Sequence, residues 1–112
     1  MRVEDQVRLR HMIDAAQSAL RFVLGRERSE LDTNQMLLFA LVRAIEIVGE
    51  AASKISEETR AAHGAITWKA IIGMHNRLIH AYFEINTETV WETATTEIPA
   101  VLPQLQALAT TE

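Results

Sequence analysis

The groups in this chain best suited to chemistry crowd into one stretch, WKAIIGMHNRLIHAYF at residues 68–83: the imidazoles of His75 and His80, the amide of Asn76, the guanidinium of Arg77 and the phenol of Tyr82. Imidazole titrates near neutral pH. Cleaving a phosphodiester through the neighbouring 2′-hydroxyl needs proton transfer plus a cation for the charge that develops on phosphorus. Wound as a helix, the stretch puts Trp68, Ile71, Ile72, Leu78, Ile79 and Tyr82 on one side, with His75 inside that apolar stripe, where an unpaired polar group is costly. His80 then lies ~140° round from His75, and Arg77 ~160° round. One continuous helix cannot aim both rings at one point. Either the helix ends near His80, so that His80-Ala81-Tyr82 turns back, or the second ring of a working pair comes from another copy of the chain.

Other candidates are weaker. Glu46 and Glu50 sit one turn apart beside Arg43, as an acid pair, half of a metal site or a solvated helix face. A metal set of His75, His80, Glu46 or Glu50 has poor spacing, because helical metal pairs sit four apart with both side chains on one face. No metal is expected. His11 and His63 have no cluster around them and read as surface residues. There is no glycine-rich phosphate loop, and no cofactor is expected.

The elements that must hold these groups are helical. At 112 residues and 48 % apolar content the chain suits one domain, residues 1–112, with a real core. It has no cysteine and no apolar run longer than Met36–Val42. A soluble, cytoplasmic protein is therefore expected. The net charge of −4 argues against sequence-blind adhesion to nucleic acid, although residues 1–28 carry six Arg against four acids. Leu9, Met12, Ile13, Ala16, Leu20, Val23 and Leu24 predict a first helix over about 4–24, stopped by Gly25. A second helix is predicted to open at Asp32, in a capping box with Gln35, and to bury Leu37, Leu38, Leu41, Ala44, Ile45, Val48, Ala51, Ala52 and Ile55. Gly49 within it suggests that a neighbouring backbone packs close. Ser56–His63 reads as a short helix capped by Ser56, and Thr67 as the cap of the next. Glu84-Ile85 reads as a turn and Asn86 or Thr87 as the cap of a last helical region. Its stripe, Val90, Trp91, Ala94, Ile98, Val101, Leu102, Leu105 and Leu108, crosses Pro99 in phase, which predicts a kinked helix or two stacked pieces. Nothing alternates with a period of two. The expected fold is an all-α antiparallel bundle of four to five helices with no β-sheet.

The string WKAIIGMHNRLIHAYFEINTETVW, preceded by EIVGEAASKI, resembles the HepT family of HEPN-domain proteins, the toxin half of HEPN/MNT toxin–antitoxin pairs. The resemblance covers nearly the whole chain. The family signature is Arg, four residues, His, one residue, Tyr. It falls here on position 75, His80 and Tyr82, with Asn76 at the amide after the arginine and Glu50 at the glutamate of the GEA segment. It implies a small all-helical chain that dimerises. It also implies a metal-independent ribonuclease site, composed from two protomers and acting on RNA such as tRNA, with His75, Asn76, His80 and Glu50 as catalytic positions. A partner nucleotidyltransferase would attach AMP to Tyr82 and so neutralise the toxin. Position 75 departs from the pattern: it is histidine where the family has arginine. Histidine is shorter and mostly neutral at pH 7, with an ordinary pKa of about 6.5, so activity should be impaired. Arg77 could in part substitute as a substrate-binding cation. The alternative expectation is a non-catalytic module that only dimerises and binds its partner.

Overall fold

The computed structural model describes residues 1–81 and 84–111, with the backbone alone at 75, 79–81 and 111. Helix α1 spans Val3–Val23, and Gly25, at φ +73°, reverses the chain in the left-handed region that favours glycine. A 3-10 turn, Arg28–Asp32, then buries Leu31 before α2 runs from Gln35 to Ser53. Here the structure corrects the expected cap. Asp32 closes back on Arg28 at 2.9 Å, and the Asn34 side chain accepts from the Leu37 amide at 3.0 Å. The capping box lies earlier, between Glu27 and Glu30. The 3-10 turn uses up the residues around Asp32, and Asn34 is an equally good cap two positions on.

Helix α3 is Glu57–Ala62, capped by Ser56 as predicted. The stretch after Thr67 is not one helix: α4 covers Trp68–Ile72, Gly73 ends it, and α5 covers Met74–Leu78. Thr67 stands at the cap position without a side-chain cap bond. Strand β1, Ile79–Ala81, pairs antiparallel with β2, Glu84–Ile85, so the segment expected to be a turn is extended, and the Asn86 amide donates to the Leu78 carbonyl at 2.7 Å. This ladder is too small to bury a face, and the class is all-α.

Helix α6, Thr87–Glu92, is capped by Asn86, whose side chain accepts from Thr89 N–H. A π-turn over Thr93–Glu97 then feeds α7, Ile98–Thr111. The wide turn comes immediately before Pro99, whose ring would crowd the carbonyl of the preceding turn in a regular helix. The two stacked pieces are thus joined in phase, and Val90, Ala94, Ile98, Val101, Leu102, Leu105 and Leu108 are all buried. Taking α4 with α5 and α6 with α7 leaves five helical segments among the described residues. Their core is formed by α1, α2, α4, α5, α6 and α7, with Met12, Leu41, Ile45, Val48, Ile71 and Leu78 fully enclosed. Among the described residues no helix is long and apolar enough to cross a membrane.

One buried charge ties the ends of this bundle. Asp5 on α1 is 2 % exposed and accepts from the Ser56 amide at 2.9 Å, the Ser56 hydroxyl at 2.6 Å and the Thr59 hydroxyl at 2.7 Å. Burial alone would raise its pKa; those hydrogen bonds and nearby Arg2 outweigh burial and hold it below the ordinary carboxylate value. Asp5→Ala is expected to cost about 3 kcal/mol at neutral pH, because it orphans three donors. A depressed folded pKa contributes stability above the unfolded value of about 3.9 and loses it as pH falls through the folded one. The gap between the two proteins in urea unfolding should therefore be widest at pH 7 and narrow below about pH 4. A gap that does not change with pH would contradict this role.

Candidate active site

Helix α2 is the platform. A Cβ placed on Gly49 would lie 3.2 Å from the Ile71 carbonyl oxygen and 3.3 Å from that of Ile72, so the end of α4 rests on the bare backbone of α2, as the glycine suggested. Gly49→Val should push the α4–α5 unit off α2 and cost about 2 kcal/mol, read as a lower Tm with fewer well-dispersed signals from residues 68–78. Unchanged stability would mean that α4 can shift freely.

Glu50 follows Gly49 at the flank of this contact, with its side chain exposed. Arg43 reaches both carboxylates of this face, Glu46 at 3.7 Å and Glu50 at 3.6 Å. The two acids thus share a cation. Among the described residues no group of three or more His, Asp or Glu converges as a metal set.

Helix α5 carries positions 75 to 77. It is anchored by Met74 and Leu78, both buried, while Asn76 is exposed. The backbone leaves the helix after Leu78, so position 75 is helical and position 80 lies on β1. The helix ends before His80, as one of the two expected arrangements requires. The side chains of His75 and His80, and Tyr82 altogether, lie outside the described residues. Arg77 is described, and it is engaged: Nη1 meets Glu97 Oε1 at 3.0 Å and Nη2 donates to the Ala70 carbonyl at 3.1 Å. Sequence reasoning passed over Glu97. Its one signal was the proline two residues on, which marks where the helix widens. Of the remaining imidazoles, His11 is exposed, whereas His63, expected at the surface, is half-buried and accepts Trp68 Nε1–H on its carbonyl at 3.0 Å.

A family model described as "Ribonuclease HepT-like" matches residues 12–108, which takes in α2, α4, α5, both strands and most of α7. The chain belongs to the HepT-like ribonuclease family. It is 34 % identical over 100 residues to "Putative RNase TTE0752" of Caldanaerobacter subterraneus subsp. tengcongensis, covering 89 % of each chain. It is 36 % identical over 89 residues to "Putative RNase MJ1216" of Methanocaldococcus jannaschii, covering 80 % of this chain and 74 % of that one. To "Probable ribonuclease HepT" of Thermococcus cleftensis it is 36 % identical over 70 residues, 62 % of this chain and 64 % of that one. No solved structure gives a significant match. Within this HepT-like chain, α5 carries signature position 75 and β1 carries position 80, and α5 packs against α2 and α6.

Proposed function

We propose that this chain is the toxin component of a HEPN/MNT toxin–antitoxin pair, a cytoplasmic ribonuclease that cleaves RNA, tRNA above all, without a metal. The observation that carries the proposal is family membership over residues 12–108 together with His80 and Tyr82 at the signature spacing. The site is composed from two protomers: position 75 of one faces the RNA phosphate, and His80 of the other moves the proton. One feature supports this: α5 ends at Leu78, which leaves His75 and His80 on different elements, and in a two-fold dimer α5 of one copy would meet β1 of the other. Asn76 is an exposed amide beside position 75 that can donate to a phosphate oxygen. Glu50, already paired with Arg43, orients its surroundings by charge.

With His75 in place of arginine the enzyme is attenuated, and its partner nucleotidyltransferase silences it further by adding AMP to Tyr82. His75 is also the one feature that favours a second reading, a non-catalytic module that dimerises and binds the transferase. Purified chain incubated with tRNA, with and without a chelator, separates the two. Fragments ending in a 2′,3′-cyclic phosphate that form equally with chelator present are the expected result. No fragments from this chain or from its His75→Arg variant would leave the binding module standing.

A further inference from the structure

We infer that Arg77 and Glu97 are positioning residues, a clamp that sets the direction of α5 and hence of position 75; this rests on the ribonuclease reading for its effect on rate, but not for its effect on the helix. The α4–α5 unit is broken at Gly73, and a five-residue helix after a break has little stiffness of its own. Arg77 bridges that break. Its Nη2 donates back to the carbonyl of Ala70 at 3.1 Å, in the last turn of α4, where carbonyls lack helical partners. Its Nη1 meets Glu97 at 3.0 Å, which ties the same side chain to the opposite wall of the bundle.

Glu97 closes the π-turn Thr93–Glu97, at the junction of α6 with α7. The Thr93 hydroxyl, itself buried, donates to the Thr89 carbonyl at 2.7 Å and lies 3.4 Å from the second oxygen of Glu97. With its one proton committed to Thr89, that hydroxyl leaves Arg77 as the group that holds the carboxylate. Glu97 also lines a groove between α4–α5 and α7, with Ala70, Met74, Ala100 and Val101. With both charges committed, Arg77 acts on the reaction through α5 and not by touching RNA, so it does not replace the arginine missing from position 75.

The pair is half-exposed, its side chains 45 % and 35 % accessible, so global stability should hardly respond to its loss, while the local helix should. The test uses Glu97→Gln, Arg77→Met and the double variant of the whole protein, each also in the His75→Arg background. Hydrogen exchange of the α5 and β1 amides, residues 74–81, should quicken roughly 2- to 5-fold with Tm nearly constant. RNA cleavage should lose roughly 10-fold or more in kcat with KM within about two-fold, because a small misplacement of a charge at phosphorus is costly in rate. The second substitution should add nothing to the first. Unchanged exchange over 74–81 would overturn the clamp. So would a KM that rises on adding Arg77→Met to Glu97→Gln, since Arg77 would then be holding RNA itself. If no variant cleaves RNA, the ribonuclease reading fails, and the exchange result still decides for or against the clamp.

Discussion

His75→Arg should raise the ribonuclease activity and the cell toxicity of this chain by about 10²-fold, and His80→Ala in that background should remove both. The reason is charge at the transition state. Arginine is always protonated and its fork holds two phosphate oxygens at once; imidazole offers one donor, and with an ordinary pKa of about 6.5 it is mostly uncharged at pH 7. An aligned donor gained at the developing phosphorane charge is worth on the order of 10²-fold in rate. The backbone at position 75 is helical and lies between two buried anchors, Met74 and Leu78. The chain as it stands should work better on the acidic side of neutrality, where more of the imidazole is protonated. Equal rates for the chain and its His75→Arg variant across that range would show that this position does not meet the phosphate.

Tyr82→Phe should escape neutralisation completely. A tyrosine at this place in a helical bundle would ordinarily be an amphipathic packing residue with its hydroxyl at the rim. On the proposed reading the hydroxyl two residues beyond His80 has a second use: an adenylate on it would add bulk and a negative phosphate at the RNA-binding site and so would exclude substrate by volume and by like-charge repulsion. Incubation with ATP, magnesium and the cognate transferase should add one AMP to the intact mass of the chain and none to Tyr82→Phe. An adduct on another residue would defeat this mechanism. Full neutralisation of Tyr82→Phe by an active transferase would do so too, and would leave partner binding as the inhibitor.

The helices were legible because they bury long stripes: the α2 positions from Leu37 to Ala52 and the α7 positions from Ile98 to Leu108 repeat at helical spacing and lie in the core almost without exception. Gly49 was legible as a close approach for a physical reason, since a glycine amid good helix formers costs stability unless something needs the space. What misled was local competition. Asp32 and Asn34 are both sound caps, and the choice between them fell to a 3-10 turn set by the burial of Leu31, which no capping rule contains. The π-turn was half legible, as a kink near Pro99, but the pairing of Glu97 with Arg77, twenty residues earlier, depends on packing that only the folded backbone gives. Asp5 was invisible for a similar reason. Its partners Ser56 and Thr59 lie some fifty residues away, and nothing in a charged first helical turn distinguishes a buried acid from a solvated one. At the site, spacing showed that His75 and His80 could not converge on one continuous helix, and α5 indeed ends at Leu78, before position 80.

The central claim is an RNA-cleaving site that takes position 75 from one protomer and His80 from another, and mixing two protomers tests it most directly. The double variant His75→Arg/His80→Ala has the arginine without the histidine; the unaltered chain has the histidine without the arginine. Refolded together, they form hybrid dimers in which one site joins Arg to His80 across the interface. The account predicts that the mixture cleaves tRNA, with chelator present, well above the rate of either protein alone and approaching about a quarter of the His75→Arg rate, since about half the dimers are hybrids with one good site of two. A mixture whose rate is only the average of its two components would contradict it.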